Sequence, residues 1–224
     1  MRYLICNGSP RGSAGFTEVL AQRFLAGLHE SGAEDAEILQ VGRTDTHAQA
    51  SARLAEADAV VVVFPLYTDA MPGVLMAFIE QLEPLRGRLG GHALGFIVHS
   101  GFPESLHAAA VERYLSGLAA RLGASYAGTA AVGGGSWTDG RLSAVRELGR
   151  HFAEQGLRFD PDTVRRAASC ERFGSREIII LRILARAGMF NRYFNRQLKA
   201  NGVFHRRFDR PDVPGVASLE GGTR

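Results

Sequence analysis

At 224 residues, 46% of them hydrophobic and 22% charged, the chain has a globular make-up, which excludes a collagen-like, disordered or disulfide-built scaffold. The length fits one well-buried core plus a tail, and two full domains would be tight. The net charge of +3 is mild, and two cysteines, Cys6 and Cys170, are too few for a disulfide framework or a metal cluster. Two unpaired thiols point to a reducing compartment.

The chain opens on the apolar run Tyr3 to Cys6, stopped by Asn7-Gly8-Ser9-Pro10, a turn cluster no strand crosses. Thr17 to Leu28 then places Val19, Leu20, Phe24 and Leu28 at the spacing of one helical face. Glu37 to Val41 reads as a second strand and Ala48 to Ala57 as a weaker helix. Ala59 to Phe64 is apolar throughout, the mark of a strand covered on both sides in a parallel sheet. A helix follows over Pro72 to Leu82, with Pro72 suited to a first turn. Leu94 to His99 is another buried-type strand, Ser105 to Leu122 an amphipathic helix, Tyr126 to Val132 a fifth strand and Leu142 to Leu157 a closing helix.

Strands alternating with helices of this length predict right-handed βαβ units on one parallel sheet. The expected fold is a three-layer α/β sandwich whose five strands run in the order 2-1-3-4-5, with a ligand site outside their carboxyl ends. This domain is expected to span residues 1–157. A helical extension, 158–210, should begin at Asp160-Pro161-Asp162 and continue as one longer helix from Ser175 to Lys199, stopping near Asn201-Gly202. The Pro- and Gly-rich segment 211–224 reads as a mobile tail.

Polar and glycine-rich stretches fall where strands end. Asn7-Gly8-Ser9-Pro10-Arg11-Gly12-Ser13 leads through Phe16 and Thr17 into the first helix. Its hydroxyls and single guanidinium, set at a helix start, form a candidate phosphate cradle. Neither the Walker spacing nor the Gly-x-Gly-x-x-Gly dinucleotide spacing is present, and an ordinary turn capped by Thr17 is the competing reading. After the third strand, Pro65-Leu66-Tyr67-Thr68 and Met71 offer a flat ring and apolar walls. After the fourth come His99-Ser100-Gly101-Phe102-Pro103-Glu104, with His99 read as structural rather than as a base. Gly133-Gly134-Gly135-Ser136-Trp137 follows the fifth, where Trp137 could cover a substrate.

Cys6 and Arg11 resemble the Cys-x5-Arg loop of low-molecular-weight tyrosine phosphatases, but the spacing here is Cys-x4-Arg, one residue short. A fuller likeness lies elsewhere. Gly8-Ser9-Pro10-Arg11, then Pro65-Leu66-Tyr67 with Met71-Pro72-Gly73, then Ser100-Gly101-Phe102-Pro103-Glu104, resemble the NAD(P)H-dependent FMN reductase branch of the flavodoxin-like superfamily. The resemblance implies an enzyme that passes electrons from NAD(P)H through bound FMN to a quinone, flavin, nitro or azo compound or a metal ion. It implies a cofactor site of Ser9, Arg11, Ser13, Phe16, Thr17, Pro65, Leu66, Tyr67, Thr68, Ser100, Gly101 and Phe102, with no catalytic acid–base pair and no metal. The phosphate would sit on Ser9, Arg11 and Thr17. The chain departs from the pattern at Phe16, where many relatives carry Asn, and lacks the cysteines of the iron–sulfur relatives. A non-enzymatic electron carrier and a fold relative without flavin are the alternatives.

Between Asp160 and Arg210 there are 12 basic and 5 acidic residues. The tail helix, with Ile179, Ile183, Phe190 and Phe194 on one side, could pack across a homodimer, cover a partner's flavin or rest on a membrane surface. The homodimer is the preferred expectation, nucleic acid is not expected, and the location is read as cytoplasmic.

Overall fold

The computed structural model describes residues 1–134, 139–168 and 170–208. They form two compact units, Met1–Arg172 and the described residues from Phe173 onward.

The first unit is built on five strands: β1 (Tyr3–Asn7), β2 (Ala36–Gln40), β3 (Ala59–Pro65), β4 (Ala93–His99) and β5 (Ser125–Val132). All pair in parallel in the order β2-β1-β3-β4-β5. The sheet order and helix alternation match the reading from sequence. α1 (Phe16–Glu30), α2 (His47–Glu56), α3 (Gly73–Glu80), α4 (Ala109–Leu122), α5 (Asp139–Glu154) and α6 (Pro161–Ala167) complete the unit.

β1 and β3 are buried at every position, because helices cover both faces and alternate side chains feed two separate cores. Leu4, Cys6, Val60, Val62 and Phe64 join Leu54, Leu75 and Leu115 on the side of α2, α3 and α4. Ile5, Val61 and Val63 meet Phe24, Leu28, Leu148 and Phe152 on the side of α1 and α5. Each of these large side chains contributes roughly 1.5–3 kcal/mol through its burial. Past α5 the chain returns to the sheet. Phe159, Thr163 and Ala167 are buried, and Asp160 caps α6 by accepting from the Thr163 N–H at 2.8 Å.

In the second unit the single helix expected over Ser175 to Lys199 is two, α7 (Ser175–Arg186) and α8 (Met189–Ala200). Gly188 separates them at φ +72°, a left-handed conformation that ends one helix and lets the chain start another. Among the described residues no helix is long and apolar enough to cross a membrane. The tail expectation for 211–224 lies outside the described residues.

Candidate functional site

The carboxyl ends of β1, β3 and β4 open on one cleft of about 320 Å³, within the range of small-molecule sites. It lies where the order reverses between β1's two neighbours, the switch point at which open α/β sheets bind ligands. Ser9, Arg11, Phe16, Thr17, Pro65, Leu66, Tyr67, His99, Ser100 and Gly101 line it.

The loop after β1 is braced from behind. Asn7, fully buried, accepts from the Ser9 N–H at 3.0 Å and donates to Glu18 at 2.8 Å and to the Gly12 carbonyl at 3.3 Å. Burial pushes the Glu18 carboxyl up, but amide hydrogen bonds from Gln22, Gln40 and Asn7 together hold it below the usual carboxylate range. The Ser9 hydroxyl, 2% exposed as a residue, accepts from the Arg11 N–H at 3.2 Å. α1 starts after Gly15 with no side-chain cap, so no side-chain oxygen of the N-cap residue competes for the space in front of its first turn. Arg11 is exposed and makes no ion pair among the described residues. An uncapped helix start beside an unpaired guanidinium is a place for an anion.

Thr17 is not the cap that the competing reading made it. It is buried in α1, and its Oγ1 meets His99 Nε2 at 2.8 Å. Burial lowers the His99 pKa to about 4, so the imidazole is neutral at pH 7. One ring nitrogen then donates and the other accepts. With the proton on Nε2, His99 donates to Thr17 and leaves the Thr17 hydroxyl proton for a ligand. Phe16 does not fill the cleft: it stands edge-on against His99, ring centroids 5.3 Å apart and planes at 79°, and lines the wall.

The opposite wall is apolar. Pro65 ends β3, Leu66 donates its N–H to the His99 carbonyl at 2.8 Å, and Tyr67 is 48% exposed. Tyr67 and Ala70 exchange both backbone hydrogen bonds, at 2.8 and 3.1 Å, around a tight turn. Thr68 and Asp69 fill that turn at φ +50° and +61°, a conformation in which a β-branched residue is strained.

Nine of the twelve residues singled out from the sequence share this cleft, and three do not. Ser13 is exposed on a 3-10 turn over Gly12–Ala14, Thr68 is exposed at the hairpin tip, and Phe102, 61% exposed, stacks on His107 at 4.6 Å. Met71 is in the core rather than on the wall. Glu104 stands at the start of a 3-10 turn, 3.7 Å from His107. Gly133 and Gly134 serve loop packing: the Gly134 N–H bonds the Phe102 carbonyl at 2.7 Å, and a Cβ on Gly133 would lie 2.6 Å from the Pro103 oxygen. Gly135, Ser136 and Trp137 lie outside the described residues. His99, read as structural, lines the cleft; its place as the last residue of a buried strand was the available signal.

Cys6 excludes the phosphatase likeness. Its thiol is fully buried in β1 and pushed up to about 12, chiefly by burial, so no thiolate forms near neutral pH. Among the described residues there is no cluster of metal-ligating side chains.

A family profile described as a flavodoxin-like fold matches residues 1–152. No curated protein matches the sequence. Among solved structures, an NADPH-quinone reductase from P. pentosaceus superposes with a TM-score of 0.57 at 16% identity, covering 68% of this chain and 98% of that one. The apo form of an NADH:FMN oxidoreductase gives 0.55 at 18% identity, covering 72% and 92%. An FMN-dependent NADH-azoreductase from Bacillus anthracis, in complex with FMN, gives 0.53 at 15%, covering 70% and 99%.

Proposed function

The chain belongs to the flavodoxin-like fold family, and from that premise we propose that its cleft holds FMN and that the protein is an FMN-dependent oxidoreductase drawing electrons from NAD(P)H. The observation that carries this reading is the pairing, in one cleft, of an uncapped helix start and a lone arginine with an apolar wall. A phosphate ester suits the first half and a flat aromatic ring the second. The names of the structural neighbours, a quinone reductase, an FMN oxidoreductase and an azoreductase, support it.

Ser9, Arg11 and the Thr17 hydroxyl hold the phosphate, with His99 fixing which way that hydroxyl points. Pro65, Leu66 and Tyr67 border the ring on one side, and Ser100 and Gly101 on the other. Bound FMN supplies hydride acceptance and onward electron transfer. The protein's part is orientation and backbone dipoles, which need no catalytic acid or base. A small acceptor of the quinone, flavin, nitro or azo class can reach a cleft this open.

The test compares FMN with riboflavin, which lacks the phosphate. Arg11→Ala should weaken FMN about tenfold or more, the worth of one charge-assisted hydrogen bond, and leave riboflavin affinity unchanged. Purified protein that is colourless and takes up neither ligand would overturn the reading. Loaded protein that NADH and NADPH both fail to bleach would leave a carrier rather than an enzyme.

A further inference from the structure

We propose that the second unit is an interfacial anchor that seats the protein on an anionic membrane surface. The inference is independent of whether the cleft holds flavin. It starts from side chains placed against the usual rule. α7 buries none of its residues, and Ile178, Ile179, Ile180 and Ile183 are 40–59% exposed. α8 leaves Met189 at 48%. α7 and α8 contact each other, and Ile179 and Ile183, one turn apart on α7, form an apolar strip that water disfavours.

Charge says what covers it. From Phe173 to Phe208 there are eight Lys or Arg residues and one acid, Glu177. No ion pair among the described residues engages Arg182, Arg186, Arg192 or Arg196. On α7 the Arg182–Arg186 row runs beside the Ile179–Ile183 row, about 60° round the helix. Their stems can therefore lie along the apolar strip while the guanidinium groups reach outward to phosphates, the snorkelling arrangement of interfacial helices. On α8, Arg192, Arg196 and Lys199 repeat along one face. Beyond it, Arg207 lies over the rings of Phe204 and Phe208 at 4.3 and 4.5 Å, and Phe208 is 83% exposed. A second copy of this unit would bring like charges together, whereas acidic lipid headgroups offer the opposite sign and the acyl boundary takes the isoleucines. Neither helix can span: each has 12 residues, against the roughly 20 a crossing needs.

The experiment is vesicle co-sedimentation of the full-length protein. Phosphatidylcholine vesicles with about 30% phosphatidylglycerol should bind it, phosphatidylcholine alone should bind at least about tenfold less, and about 1 M NaCl should reverse most of the binding. Arg182→Glu with Arg186→Glu should lower the partition coefficient at least about tenfold. Ile179→Ser with Ile183→Ser should lower it similarly. All four positions are exposed, and an unchanged far-UV circular dichroism spectrum confirms that the variants fold. Equal binding to both vesicle types, or undiminished binding by the arginine variant, would overturn the proposal. So would a dimer in light scattering that the isoleucine variant dissociates while wild type ignores vesicles, or retention on duplex DNA without vesicle binding.

Discussion

The two units spend the same kinds of residue in opposite ways. In Met1–Arg172 most of the large apolar side chains are inside, and many surface arginines sit on carboxylates: Arg2 on Glu56, Arg53 on Glu37, Arg150 on Glu154, Arg166 on Glu147. In Phe173–Phe208 the isoleucines, Phe194 and Phe208 face outward and acids are almost missing. A surface of exposed, screened ion pairs is neutral to its surroundings and adds little stability. One of unmatched cations beside apolar strips is built to meet something. The first unit's packing serves a cleft at the carboxyl ends of its central strands; the second unit's lack of packing is its working feature.

That contrast can be broken most forcefully where the first unit is tightest. α1 and α5 touch backbone to backbone, and a Cβ on Gly149 would lie 2.1 Å from the Phe24 carbonyl oxygen. Gly149→Ala should therefore destabilise by about 3 kcal/mol or more in urea unfolding, although alanine favours an isolated helix by about 1 kcal/mol. Ala185→Leu on exposed α7 should stay within about 0.5 kcal/mol. Similar losses at both positions would mean that the two units are packed alike.

The next effect is set by pH. His99 has its pKa lowered by burial from the ordinary 6.5 to about 4. The unfolded chain gains a proton near pH 6.5 while the folded one does not. The stability contributed is thus complete above pH 6.5 and lost as the pH falls from 6.5 towards 4. With allowance for solvent reaching part of the ring, the loss is about 2 kcal/mol. Urea titrations of wild type and His99→Gln at pH 7 and pH 4.5 should show a steeper acid loss in wild type. Equal losses would mean that His99 is solvated.

How much of this was legible follows from range along the chain. β3 and β4 were readable because burial on both faces leaves no polar alternation, and the strand order followed from the βαβ pattern. Local signals failed where a distant partner decides. The contact between Thr17 and His99 joins residues 82 apart, so the role of Thr17 as a partner of His99 rather than a cap could not be seen in either segment. Ser13 and Phe102 sit beside cleft residues in sequence yet point elsewhere, because a turn sends neighbours in different directions. The single helix expected over Ser175 to Lys199 runs across Gly188, since spacing alone does not reveal a positive φ.

The smallest predicted effect concerns the first unit's exception to its own economy. Two of the three described non-glycine residues at positive φ are Thr68 and Asp69, side by side in the hairpin that carries Tyr67 to the cleft. A turn with both central residues left-handed favours Asn and Gly, and β-branched Thr68 fits it poorly. Thr68→Asn keeps the turn, relieves the branch and adds no glycine entropy, so it should stabilise by about 1 kcal/mol. If the strain serves only the fold, FMN affinity should not move. If it holds Tyr67 in place against a ring, the gain in stability should come with weaker FMN binding, because a relaxed turn samples more positions. A variant that gains no stability would show that Thr68 sits in that turn without strain.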